Sequence, residues 1–195
     1  MNIVVLGDTG MVGSRTIAEA RDRGHTVSGY SRNGQNPLNF ADTAKVVELI
    51  NDPKTDLTII SVVSGRTGSY EDDIANHKAL IAAGPTGRML VVGGAGGLQV
   101  DETTQLKDSP DLPESFLAEA QTFATVLDLY RNAESLNWTM LAPAPMIEPG
   151  KRTGEYTMGK DYPVGDSISA EDFAVALLDE AENPQHAGTR FTVAN

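Results

Sequence analysis

The chain has no cysteine among its 195 residues, and it has only three histidines. The first absence excludes disulfides, thiolate nucleophiles and cysteine metal ligands, and we predict no metal site. No apolar run is long enough to cross a bilayer. The short opening run also lacks the basic segment that precedes the apolar part of a signal peptide. We therefore expect a soluble, cytoplasmic protein without a membrane partner.

Basic residues are also scarce: 15 Lys and Arg face 27 Asp and Glu, for a net charge of −12. This surface repels nucleic acid and anionic lipid, so we expect neither as a partner. An anionic ligand must then be held by a helix terminus or by a local positive patch. The length predicts one domain over residues 1–195, as a monomer or a small homo-oligomer.

The most informative stretch is the first 13 residues. A β-branched run, 2–6, predicts a buried strand, and Gly7-Asp8-Thr9-Gly10-Met11-Val12-Gly13 follows it. Gly7 permits a tight exit from the strand, Gly10 lets the backbone approach a pyrophosphate, and Gly13 lets the next helix pack on the sheet. The stretch therefore predicts a dinucleotide site at a helix N-terminus. The alternative is an ordinary turn between a core strand and a surface helix.

The end of the second predicted strand indicates which dinucleotide is bound. An acidic residue there would bind the ribose 2′-hydroxyl of NAD, whereas this chain has Ser31 and Arg32. A guanidinium matches a 2′-phosphate in a bidentate manner, and a neighbouring hydroxyl adds a donor. The pattern favours NADP(H) over NAD(H). The alternative is an arginine that is merely solvated in a turn.

Strands and helices alternate along the whole chain. This order predicts an α/β fold: a single Rossmann-type, doubly wound parallel sheet with helices on both faces and a ligand at its carboxyl edge. Residues 143–168 are predicted to form a small loop region beside the substrate. The apolar stripe that begins at Phe116 is predicted to be core. The predicted strands are 2–6, 25–30, 57–63, 88–92, 138–142 and 190–193, and the predicted helices are 11–23, 42–51, 70–83, 113–133 and a last one capped by Ser169.

Several motifs together resemble a known family. They are Gly7-x-Thr9-Gly10-x-x-Gly13, the Arg32-Asn33 pair, Val92-Gly93-Gly94-Ala95-Gly96, and Trp138-Thr139 through Pro143. They resemble the atypical short-chain dehydrogenase/reductases, especially the NmrA-like and biliverdin/flavin-reductase-like NAD(P)-binding proteins, over essentially the whole chain.

The resemblance implies a bound NADP(H) and a contact for each part of it. The pyrophosphate would meet Gly7, Thr9, Gly10, Met11 and Val12. The adenosine would meet Arg32 and Asn33 at its phosphate, and Leu38 and Asn39 at adenine. The central ribose would lie beside Ser61, Val62 and Val63. The nicotinamide end would meet Gly94, Ala95, Pro143, Ala144, Pro145 and Met146.

The chain departs from the family pattern in two places. Asp8 stands where relatives have a small residue, and a carboxylate aimed at a pyrophosphate would repel it. We therefore expect Asp8 to point to solvent or toward an amide donor. The usual Tyr-x-x-x-Lys pair, in which lysine lowers the pKa of the tyrosine, is absent from the helix after the fourth strand, where Glu134 follows Tyr130 at that spacing.

One match to that spacing occurs elsewhere, at Tyr156 and Lys160. It falls in a glycine-containing loop, where a four-residue spacing does not bring side chains to one helical face, so we interpret it as coincidental. Tyr156 remains a weak catalytic candidate, and we predict that Arg152, Thr153 and Tyr156 contact a substrate.

Two functions fit these features. The first is an NADP(H)-dependent oxidoreductase that transfers hydride to a small or flavin-like acceptor with a proton from solvent. The second is a non-catalytic, NmrA-like redox sensor, which the missing Tyr-x-x-x-Lys pair favours. A nucleotide-sugar epimerase is a third alternative, although the chain is short for that class.

Overall fold

A computed structural model describes all 195 residues of the chain. The strands are β1 (Asn2–Leu6), β2 (Thr26–Tyr30), β3 (Leu57–Ile60), β4 (Met89–Val92), β5 (Trp138–Pro143), β6 (Met146–Glu148), β7 (Thr157–Gly159), β8 (Ser167–Ser169) and β9 (Arg190–Ala194). The helices are α1 (Met11–Asp22), α2 (Thr43–Asn51), α3 (Tyr70–Ala83), α4 (Glu114–Arg131) and α5 (Ala170–Glu182).

The main sheet has seven strands in the order β2-β1-β3-β4-β5-β9-β7. Every neighbouring pair is parallel except β7 and β9. β2 lies on one side of β1, and β3 and the later strands lie on the other side. The strand order therefore reverses at β1. Ligands of such sheets bind at this reversal, beyond the carboxyl ends of the strands.

Helices cover both faces of the sheet. Along β1, Ile3 and Val5 belong to one buried cluster, which includes residues of α1 and α5. The alternate residues Val4 and Leu6 belong to a second cluster, built with α2, α3 and α4. Nearly continuous apolar strands are expected where both faces are covered. The predicted doubly wound α/β fold is therefore confirmed. None of the helices is both long and apolar enough to span a bilayer.

Two segments differ from the prediction. The third strand ends at Ile60 instead of residue 63, because residues 61–63 leave the sheet toward the ligand edge. Residues 143–168 contain short strands as well as loops. β6 pairs with β8 in a separate two-stranded sheet, and β7 extends the main sheet antiparallel to β9. These strands have three residues each, which is too short for periodicity to predict.

Candidate functional site

A cleft of about 760 Å³ opens along the carboxyl edge of the sheet, a volume typical of small-molecule sites. It is lined by the segments that follow β1 to β5. The structure brings every predicted cofactor contact to its wall: Gly7, Thr9, Gly10, Met11, Val12, Ser31, Arg32, Asn33, Leu38, Asn39, Ser61, Val62, Val63, Gly94, Ala95, Pro143, Ala144, Pro145 and Met146.

The glycine loop needs two of its glycines for steric reasons. Gly7 has a φ of +91°, and a Cβ there would lie 2.0 Å from the carbonyl oxygen of Ser61. A Cβ on Gly13 would lie 2.1 Å from the carbonyl oxygen of Gly7, so α1 packs directly on the loop. Gly10 is the N-cap of α1 and supplies no capping side chain. The first N–H groups of α1 are therefore free to bind an anion.

Arg32 is exposed and lines the cleft where the adenosine is predicted to lie. Its Nη2 donates to Thr67 Oγ1, which links the turn after β2 to the loop after β3. Beside it, Thr9 Oγ1 donates to Ser31 Oγ over 3.2 Å. The predicted adenosine subsite thus combines one exposed guanidinium with two hydroxyls.

Asp8 points away from the cleft, as expected of a carboxylate that would repel a pyrophosphate. Its side chain lies outside the cleft lining and faces a neighbouring polar cavity of about 410 Å³. The side chain is half-buried and has no amide donor, and one of its oxygens, Oδ1, is buried without a hydrogen-bond partner. The orientation is possible because Gly29 and Gly34, which pack against the carboxylate, have no side chains.

The loop after β3 is fixed by a buried carboxylate. Asp73, in the first turn of α3, is fully buried and accepts hydrogen bonds from the N–H groups of Ser64 and Gly65 at 2.7 and 2.8 Å. Burial raises the pKa of this carboxyl despite those bonds. Asp73 therefore holds Ser64 on the cleft wall and acts as a structural support.

The glycine-rich segment after β4 is packed against α4. A Cβ on Gly96 would lie 2.2 Å from the carbonyl oxygen of Ala120, and one on Gly94 would lie 3.0 Å from Phe123 Cβ. Residues 95–97 form a short 3-10 turn. The small residues thus let α4 pack closely against this part of the cleft wall.

A polar cluster on the cleft wall is not apparent from the sequence. Arg66 forms a bidentate pair with Glu119 of α4 at 2.9 and 2.7 Å, and the Tyr70 hydroxyl donates to Glu119 at 3.0 Å. Burial opposes the charge of Glu119, but Arg66 outweighs it and holds the pKa of this carboxyl below its usual range. The partners are far apart in sequence, so no local pattern indicated the cluster.

The predicted core stripe of α4 also needs a correction at its first residue. Phe116 is 51% exposed and lines the cleft, as do the neighbouring residues Leu112 and Pro113. Met146, on the opposite segment, is 50% exposed. The end of the cleft predicted to hold the nicotinamide therefore continues into an apolar chamber. A helical apolar stripe indicates burial and does not show which of its residues line a cleft.

The three predicted substrate contacts are placed elsewhere. Arg152 makes a bidentate pair with Glu19, and the Thr153 hydroxyl donates to Asp172. The Tyr156 hydroxyl donates to Asp179 at 2.7 Å, and none of the three lines the cleft. Side chains of α1 and α5 hold this segment outside the cleft, so the structure does not bring these three residues to the predicted site. Lys160 is also outside the cleft lining.

We expect Tyr156→Phe to leave the predicted turnover of NADPH within about twofold of the parent, because the Tyr156 hydroxyl is bonded to Asp179 and lies outside the cleft lining. Burial and that bond raise the pKa of Tyr156, which makes it a poorer acid at neutral pH. Loss of the hydrogen bond costs about 1 kcal/mol of stability. Steady-state kinetics and urea unfolding test this, with Tyr162→Phe, at a half-exposed site, as the control. A tenfold fall in turnover with a native stability would instead give Tyr156 a role in the reaction.

Comparison with known proteins agrees with the geometry. Residues 7–184 match a family model described as NAD(P)H-binding. The chain is 37% identical to the uncharacterized protein YwnB of Bacillus subtilis, over 100% of this chain and 99% of that protein. The chain belongs to the NAD(P)H-binding family, in agreement with its resemblance to the atypical short-chain dehydrogenase/reductases.

Solved structures give the same fold over the full length. A candidate NADH-flavin reductase from Streptococcus pneumoniae is 31% identical, with a TM-score of 0.87 over 100% of this chain and 99% of that one. A candidate epimerase from Bacteroides thetaiotaomicron is 30% identical, with a TM-score of 0.88 over 99% and 96%. The family thus supports a nicotinamide cofactor, while the activities named for these relatives differ.

Proposed function

We propose that the protein is an NADP(H)-dependent oxidoreductase that transfers hydride to a small or flavin-like acceptor. The proposal rests on the groups that line one cleft. The uncapped N-terminus of α1 and the Arg32 guanidinium lie on its wall, and an apolar chamber continues beyond its nicotinamide end. The similarity to a candidate NADH-flavin reductase supports the same class of reaction.

The charges on the cleft wall fit a phosphorylated dinucleotide. The wall contains no lysine and two arginines, and Arg66 is already neutralised by Glu119. Arg32 makes a hydrogen bond to a neutral hydroxyl, so its positive charge has no carboxylate partner. Since the rest of the chain is strongly acidic, Arg32 is the group suited to a 2′-phosphate, and the N–H groups of α1 are suited to the pyrophosphate.

The bound nicotinamide would supply the hydride, and the residues of this chain would orient it. Pro143 to Met146 and Gly94 form the wall beside which the ring would lie. Phe116 and Leu112 would hold an apolar acceptor and exclude water. The hydroxyl of Tyr70 already donates to Glu119, and the Glu119 carboxyl has a lowered pKa. Neither is suited to donate a proton, which favours solvent as the proton source.

The test is a titration of NADP⁺ and NAD⁺ against the parent and Arg32→Ala. We expect the Kd for NADP⁺ to rise by at least about tenfold, or about 1.4 kcal/mol, while the Kd for NAD⁺ changes by less than about threefold. Arg131→Ala, on the last turn of α4 and outside the cleft lining, removes the same charge as a control. Unchanged selectivity in Arg32→Ala would remove the NADP assignment.

Turnover is tested with NADPH and a panel of flavins, quinones and carbonyl compounds. We expect oxidation of NADPH by at least one acceptor. No oxidation with any of them would favour the second candidate, a non-catalytic NADP(H) sensor. The absence of lysine and histidine from the cleft wall favours that alternative. A sensor would bind the oxidised and reduced cofactor with unequal affinity and respond through a protein partner.

A further inference from the structure

The Asp8 carboxylate lies directly behind the turn that contains Ser31 and Arg32. A Cβ on Gly34 would be 2.9 Å from Asp8 Oδ1 and 2.6 Å from Ser31 Oγ, so both oxygens approach the same point. A Cβ on Gly29, near the end of β2, would be 2.7 Å from Asp8 Oδ2. The carboxylate therefore occupies space that side chains at two glycine positions would otherwise fill.

This carboxylate is poorly compensated. Its Oδ1 is buried and accepts no hydrogen bond, and the side chain has no salt bridge within 4.0 Å. Arg21 lines the same cavity without pairing with it. Because Oδ1 is buried without a partner, the charge of this carboxylate is screened less than that of a fully exposed acid. Two cleft-lining residues adjoin the carboxylate: Thr9, its neighbour in the chain, and Ser31, whose hydroxyl lies beside the same Gly34 backbone.

We infer that Asp8 is a second determinant of dinucleotide choice, one that opposes Arg32 and shifts the preference toward NAD(H). The inference rests on the proposed function, because it requires the adenosine ribose to lie beside Ser31 and Arg32. A 2′-phosphate at that position would carry negative charge toward the carboxylate, whereas the 2′-hydroxyl of NAD is neutral. The preference between NADP(H) and NAD(H) is thus set by two opposing charges: Arg32 attracts the 2′-phosphate, and Asp8 repels it.

The position of the acid is unusual for an NAD site. In the common arrangement, the acidic residue that selects NAD stands at the end of the second strand and binds the ribose directly. Here the end of β2 carries Ser31 and Arg32, and the acid comes from the glycine loop instead. Because Asp8 acts on the phosphate through its charge, its removal should change NADP affinity more than NAD affinity.

The experiment measures the Kd of NADP⁺ and NAD⁺ for the parent, Asp8→Asn and Asp8→Ala by isothermal titration calorimetry. We expect both variants to bind NADP⁺ at least about tenfold more tightly, with the Kd for NAD⁺ within about threefold. Asp22→Asn, which neutralises an exposed acid at the end of α1, is the matched control and should change neither Kd by more than about twofold. Thr9→Val cannot serve as the control, because Thr9 lines the cleft and its substitution would change the binding site itself.

Three results would overturn the inference in distinguishable ways. An NADP⁺/NAD⁺ ratio in Asp8→Asn within twofold of the parent would show that the carboxylate does not act on the 2′-position. Equal weakening of both dinucleotides would show that Asp8 only shapes the glycine loop. If the parent protein binds neither dinucleotide, the proposed function fails and the inference fails with it, whereas the first two results leave the proposed function intact.

Discussion

Valine at position 10 is expected to raise the Kd for NADP(H) by at least about 100-fold, or about 2.7 kcal/mol, while the protein stays folded. Gly10 has a φ of −75° and a ψ of 166°, an extended conformation that valine adopts readily. A Cβ there would meet one atom within 4 Å, the carbonyl oxygen of Gly7 at 3.2 Å. Since Gly10 lines the cleft, the added methyl groups would fill the space that the pyrophosphate needs.

The controls for this prediction separate binding from folding. Gly68→Val makes the same chemical change at an exposed position outside the cleft lining, where a Cβ would be 3.5 Å from the nearest atom. We expect it to bind NADPH as the parent does. Thermal unfolding should give similar midpoints for the parent and Gly10→Val, and Gly10→Ala provides a smaller change if valine shifts the midpoint. Parent-like NADPH affinity in folded Gly10→Val would show that the glycine loop does not hold the pyrophosphate.

The sequence predicts the glycine loop well because its determinants are local. Only the contact of Gly7 with the Ser61 carbonyl depends on a distant strand, whereas the close approach of Gly13 to Gly7 involves residues within a few positions. The same holds for the helix that Ser169 caps, where its hydroxyl accepts from the Asp172 N–H at 3.0 Å. Alternating strands and helices then restrict the topology to a few arrangements, and the ligand edge follows from that order.

The features that the sequence does not predict all depend on distant partners. Arg66 and Glu119 are 53 residues apart, and only the packing of α4 beside α3 brings them together on the cleft wall. Asp172 stands at a capping-box position, yet its carboxylate accepts from the N–H groups of Thr153 and Gly154, at 2.8 and 2.7 Å. The capping-box pattern thus predicts the start of α5 correctly, but it does not predict which backbone groups the Asp172 carboxylate binds.

The segment around residue 152 shows why a sequence match to a catalytic pair can mislead. Glu19 is 5% exposed and receives two hydrogen bonds from Arg152, at 2.6 and 2.8 Å, and one from Arg23 at 2.8 Å. Arg23 also pairs with Asp179 and Glu182 of α5. The network joins α1, α5 and the segment that contains Tyr156, so the polar residues there stabilise the fold and are unavailable to the cleft.

Glu19→Gln is therefore expected to lower the free energy of unfolding by about 3 kcal/mol at pH 7. The substitution removes the buried negative charge with which Arg23 and Arg152 pair. The hydrogen bond from Arg152 outweighs burial and, with Arg23, lowers the pKa of Glu19 to about 2. A carboxyl whose pKa is lowered in the folded state contributes its full stability above its unfolded value, near 4.5. That contribution is lost as the pH falls from there toward 2.

Urea unfolding of the parent and Glu19→Gln at several pH values from 7 to 3 tests both parts of this prediction. The difference between the two proteins should shrink as the pH falls below about 4.5, since the unfolded parent then binds a proton at Glu19 that the folded parent does not, whereas the variant has no carboxyl at this position to titrate. Glu48→Gln, at an exposed position without a salt bridge, should cost less than about 0.5 kcal/mol at every pH. A loss in Glu19→Gln no larger than in Glu48→Gln would mean that the network does not stabilise the fold. In that case the arginine at 152 would be free to leave Glu19, and its exclusion from the substrate site would no longer follow from the pairing.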